Sequence, residues 1–173
     1  MPVINLPLND EKYAPHNLIK RAVVSMNDYR LPEGQVGMAS PETGVVVAVI
    51  LYILYNEPKA VRTKLECYII LLDRMVKEAT GEGLFTLELN SKGRISNFKR
   101  IFDFMLKKGL LSPSGTARFF MTELAVEIIK RLGIVLGKLV PYVEKLLVNY
   151  DYLTAGEMLT EISKPLLLRF DNK

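Results

Sequence analysis

Tryptophan is absent, and the chain of 173 residues holds one cysteine, Cys67, and one histidine, His16. A lone thiol excludes a disulfide scaffold. One Cys and one His cannot supply the ligand set of a zinc finger or a zinc hydrolase. A Ser-His or Cys-His triad could recruit only His16, which lies in a polar stretch next to Pro15. Eleven glycines and nine prolines are too few for a collagenous or low-complexity chain. The longest apolar run, VVVAVILYILY at 45–55, is far shorter than the about 20 residues that a helical membrane span needs. The N-terminus has no charged segment followed by an apolar one, so no secretory signal is visible. Together with the single thiol, this predicts a cytoplasmic protein.

The hydrophobic fraction of 49% and the charged fraction of 24% fit one domain, or one domain with an appendage, that can bury a core. The net charge of +4 is unevenly spread. Between Ser91 and Arg118 lie Lys92, Arg94, Lys99, Arg100, Lys107, Lys108 and Arg118, with Asp103 as the sole acid. That stretch carries +6 and the rest of the chain −2. Concentrated positive charge focuses a field on an anionic partner. The bland reading of the same residues is a solvated face.

Residues 1–40 read as an irregular N-terminal arm broken by Pro2, Pro7, Pro15 and Pro32, with one helix over 17–27. Ser40 and Pro41 signal a helix start ahead of the apolar helix 45–55. A second helix over 59–80 has a stripe of Leu65, Ile69, Leu72 and Val76 and stops at Gly81. Alternation over 84–89 predicts a short strand, and 90–93 a turn. The spacing of Ile95, Phe98, Ile101, Phe102, Met105 and Leu106 predicts a helix over 94–108, capped by Gly109. Residues 110–121 read as a hairpin around Pro113-Ser114-Gly115. Thr122 N-caps a helix to Leu132, and Pro141 opens another running to Tyr150. Thr154 and Glu157 form a capping box for a last helix that ends before Pro165. The expected units are thus the arm 1–40, a central domain 41–132 and a helical extension 133–173.

On the predicted helix 94–108, the face opposite the apolar stripe holds Ser96, Asn97, Arg100, Asp103 and Lys107, with Lys108 at its edge. Arg and Lys suit phosphates or guanine, Asn suits adenine, and Ser suits either. Phe104 falls on the polar side. It can pack beneath the arm, form a partner interface or meet a base. Cys67, mid-helix beside Tyr68 and Ile69, reads as a structural thiol.

The segment ISNFKRIFDFMLKKGLL followed by RFFMTELAVEII resembles the recognition-helix-and-wing half of a winged helix-turn-helix domain. The matching elements are Gly109-Leu110-Leu111 and Phe120-Met121-Thr122. The resemblance implies a mainly α fold with a small β wing, a winged-helix-like core and a helical C-terminal region. It implies duplex DNA as the partner, contacted through the helix 94–108 and the wing 110–121. The expected contact residues are Lys92, Arg94, Ser96, Asn97, Lys99, Arg100, Lys107, Lys108 and Arg118, with Thr116 also on the wing. The alternative is a non-enzymatic adaptor or architectural subunit that uses the same body to bind a protein, or a second copy of itself. Neither reading calls for a catalytic residue, a metal, an organic cofactor or a membrane.

Overall fold

A computed structural model describes residues 29, 31–32, 34–38, 40–115, 118–133 and 137–171. His16, the predicted helix 17–27, most of the predicted arm and Thr116 lie outside the described residues. The element order is α1 (Ser40–Asn56), α2 (Arg62–Thr80), α3 (Lys99–Lys107), β1 (Leu111–Pro113), β2 (Phe119–Met121), α4 (Glu123–Arg131), α5 (Val140–Tyr150) and α6 (Ala155–Asp171). The protein is therefore mainly α, and the described residues hold one small antiparallel hairpin, in which Leu111 pairs with Met121 and Pro113 with Phe119.

α1 is apolar on every side, and all residues from Val45 to Leu54 are buried. A helix of that kind is stable only when surrounded. Its neighbours are α2, α3, β2 and α4. α2 lies between α1 and the C-terminal pair α5 and α6. Two cations of α2 fasten that pair. The Lys64 ammonium donates to the Asp151 carbonyl at the end of α5, and Arg74 Nη2 donates to the Ile162 carbonyl at 2.8 Å. No helix among the described residues is long and apolar enough to cross a membrane.

Three expectations need correction. The stretch 84–89 forms two single bridges, Leu87 with Met38 and Leu89 with Ile95, and no strand. Its backbone is held instead by side-chain carboxylates: Asp73 accepts from Phe85 N at 2.8 Å, and Glu42 accepts from Thr86 N at 2.7 Å. Burial raises the Asp73 carboxyl above its ordinary value, outweighing the backbone donors of Phe85 and Leu84 that pull it down. The helix expected from Arg94 begins at Lys99, because Ile95 is engaged in its bridge and Asn97 takes the left-handed conformation (φ 57°). The last helix continues through Pro165 to Asp171, forgoing the backbone donor that proline lacks.

Other local signals match the structure. Leu110 N donates to the Met105 carbonyl at 2.9 Å across Gly109 (φ 74°), a Schellman closure of α3. Thr122 Oγ1 accepts from Ala125 N and donates to the Gly109 carbonyl, which ties the start of α4 to the end of α3. Thr154 and Glu157 exchange backbone–side-chain bonds of 3.1 and 3.2 Å as a capping box. α5 carries its proline in the first turn.

Gly37 is required by close approach. Its N–H donates to the Ser96 carbonyl, its carbonyl accepts from Glu88 N, and an added Cβ would lie 2.5 Å from the Glu88 carbonyl oxygen. The Gly37→Ala variant should lose about 1–3 kcal/mol of stability, from the overpacking of three backbone segments. Urea unfolding checks this, and Gly137→Ala provides the control, at a glycine whose φ is not positive and whose added Cβ meets nothing within 4 Å.

Candidate nucleic-acid interface

α3 is held from behind by aromatic packing. Phe98 meets Phe102 edge-on at 5.5 Å, and Phe102 stacks on Phe119 of β2 at 5.2 Å. Ile101, Phe102 and Met105 are buried, so the opposite side of the short helix faces out. That side presents Lys99 and Arg100 in the first turn and Lys107 and Lys108 at the end. All four are exposed, and among the described residues none is held in an ion pair.

These cations line an open groove of about 700 Å³. Asn97 stands at one end of the groove, and Asp103 and half-buried Phe104 occupy the middle. Leu31, Pro32 and Gln35 form the facing wall. The Leu31 backbone N–H is fixed to Thr43 Oγ1 at 2.7 Å, so this wall is anchored to the first turn of α1. The Lys108 ammonium lies 5.6 Å from the centre of the Phe104 ring.

The expected contact residues therefore separate. Asn97, Lys99, Arg100, Lys107 and Lys108 share the groove. Lys92 is exposed on the 90–93 turn, and Arg118 is exposed at the hairpin; neither lines the groove. Ser96 is half-buried, and its backbone joins Gly37 and Glu88 in hydrogen bonds. Neither Ser96 nor Asn97 lies on the helix, so the predicted base-reading row on one helical face does not form.

Arg94 is committed inward. Its Nε and Nη2 donate to the two Glu66 oxygens, each at 2.7 Å, and Ile95 N donates to the same carboxylate at 3.2 Å. Glu66 is only 4% exposed. Its hydrogen bonds hold the Arg94 guanidinium above its ordinary value. Arg94 is a structural residue, and phosphate contact is not its position in the fold. The signal for this pair was an acid inside the apolar run LECYIILL, which must find a partner when buried. The wall residues Leu31, Pro32 and Gln35 had no such signal, because irregular segments carry no periodicity. Beside Glu66, burial pushes the Cys67 thiol up to about 12, as befits an inert core residue.

No protein-family model, curated protein or solved structure matches this chain. The distinctive property of the groove is a row of exposed cations, none held in an ion pair among the described residues, with the single acid Asp103 between them.

Arg94→Ala should cost about 2–3 kcal/mol, because it leaves the Glu66 carboxylate buried with Ile95 N as its one donor. The loss falls below that of a fully buried pair because Arg94 is partly solvated. Lys99→Ala should change stability by no more than about 0.5 kcal/mol. Chemical denaturation of the two variants beside the parent protein measures the contrast.

Proposed function

We propose that this protein is a non-enzymatic DNA-binding protein of winged-helix-like design, which holds the phosphate backbone through Lys99, Arg100, Lys107 and Lys108. The observation that carries the reading is the gathering of these four unneutralised cations along one groove. The two pairs stand about two turns apart on the helix, so each can meet a different phosphate of one polyanion. Concentrated positive charge on one face also raises the local concentration of such a ligand. The order α3, Gly109, hairpin, α4 supports the winged-helix likeness. The mechanism is phosphate anchoring with little base reading, since Ser96 and Asn97 are off the helix. The reading invokes no metal, organic cofactor or catalytic group.

A second reading, an adaptor subunit, has one observation in its favour. An apolar hollow of about 200 Å³ lies between Leu54, Tyr55 and Pro58 on one side and β2 on the other. Phe120 at its rim is 64% exposed and Tyr55 52%. Exposed apolar clusters of this kind mark protein contacts.

Fluorescence anisotropy with one labelled DNA sequence, in single-stranded and duplex form, tests the proposal. At least one form should bind at low salt. With four phosphate contacts, log K should fall against log salt with a slope of about −3 to −4. Arg100→Ala with Lys107→Ala should weaken binding and flatten the slope by about one to two. Failure of both DNA forms to bind at low salt would overturn the DNA reading and leave the adaptor reading in front.

A further inference from the structure

A helix that reads duplex DNA has to protrude. The major groove is about 12 Å wide, and an α-helix with its side chains already fills about 10–12 Å. Here the cationic side of α3 is not a ridge. It is one side of a concavity whose other side is built by Leu31, Pro32 and Gln35. The wall is not a loose flap: Leu31 N is bonded to Thr43 of α1, and Gly37 is bonded to Glu88 and Ser96 on either side of it. With that wall beside it, this face of α3 is half of a concave surface and not a free-standing ridge of the kind that fills a major groove.

The contents of the groove suit a narrower polyanion. Two cations stand at each end of α3, Lys99 and Arg100 against Lys107 and Lys108. They are separated by about 12 Å of helix, at about 1.5 Å per residue. That distance spans about three to four nucleotides at the rise of about 3.4 Å within one stacked strand. Between the charged ends lie the aromatic ring of Phe104 and the carboxylate of Asp103. A carboxylate there repels a phosphate and accepts from a base N–H, such as the thymine N3–H that only an unpaired strand leaves free. An aromatic ring offers a stacking face that every base can use. Phosphates at both ends with a base between them is the arrangement of an unpaired strand. Lys108 now covers the Phe104 ring, but its exposed, flexible ammonium can move to a phosphate and uncover it.

Building on the DNA-binding reading above, we infer that the groove between α3 and Leu31, Pro32 and Gln35 is a site for single-stranded nucleic acid, with phosphates on the paired cations and a base against Phe104. The preferred ligand is an unpaired strand and not a duplex.

The test uses the full chain and three labelled probes about 12 nucleotides long, a length within the range of common single-strand sites. They are an oligo-dT strand, its duplex with oligo-dA, and an abasic strand with the same phosphates. The dT strand should bind at least about tenfold tighter than the duplex. The abasic strand, which retains charge but no stacking surface, should bind about fivefold or more weakly than dT. Phe104→Leu, which retains apolar packing and removes the ring, should weaken dT binding by a similar factor and leave the salt slope unchanged. A thermal melt of that variant separates lost stacking from lost fold, and the abasic probe needs no variant at all. Duplex binding as tight as dT, or abasic binding equal to dT, overturns the single-strand inference while leaving DNA binding intact. A free mononucleotide that binds as tightly as the strand also overturns it, since the groove is then a small-ligand pocket. No binding of any probe at low salt overturns this inference together with the DNA reading beneath it.

Discussion

The Glu66 carboxylate is the fastening on which the groove depends. It sits among apolar residues of α2, where an unpaired charge would be prohibitive, and it satisfies itself entirely on one stretch of chain. By accepting from Arg94 Nε, Arg94 Nη2 and Ile95 N, it fixes the residues that enter α3. Asp73 and Glu42 hold the same connector further upstream, at Phe85 and Thr86. Three acids from the two core helices therefore replace the cross-strand ladder that a sheet would have supplied. The outcome is a segment without regular structure that is nonetheless rigidly placed, and α3 inherits that placement.

The apolar core supplies the other half of the constraint. α1 is buried all round, so every element that touches it is positioned by the same surface. α3 reaches it with Ile101, Phe102 and Met105, and the stack of Phe102 on Phe119 joins the hairpin to the same packing. What remains of α3 for solvent is the row of Lys99, Arg100 and Lys107, with the single acid Asp103. The segregation of charge along the sequence thus becomes a segregation of faces in space. Thr43, in the first turn of α1, holds the wall opposite that row. Both sides of the groove are therefore referred to one helix.

Much of this was legible in the sequence, for physical reasons that can be named. The apolar stripe of 101–106, Gly109, Thr122 and the Thr154–Glu157 box are local signals, settled within a few residues of chain. Each produced the element expected. The errors arose where distant partners override local pattern. Ile95 and Phe98 continue the helical spacing, but Ile95 is taken by Leu89 and Glu66, and the helix cannot start until Asn97 has turned the chain. Likewise 84–89 alternates as a strand would, yet its neighbours are carboxylates and two isolated bridges, to Met38 and to Ile95. The cations were found by counting. Which of them are available was not, because Arg94 and Arg100 differ only in what faces them. The groove wall was invisible, since Leu31, Pro32 and Gln35 acquire meaning only by where the chain returns.

The central claim is that the cationic side of α3 is the surface that meets nucleic acid. Amide chemical-shift mapping tests it most directly, with isotope-labelled protein titrated with single-stranded DNA at low salt. The account predicts that the largest shifts fall within 97–108 and on Leu31 and Gln35 of the facing wall, with the hairpin tip and α5–α6 nearly unmoved. Shifts confined to 111–121, or to the hollow around Tyr55 and Phe120, would contradict it.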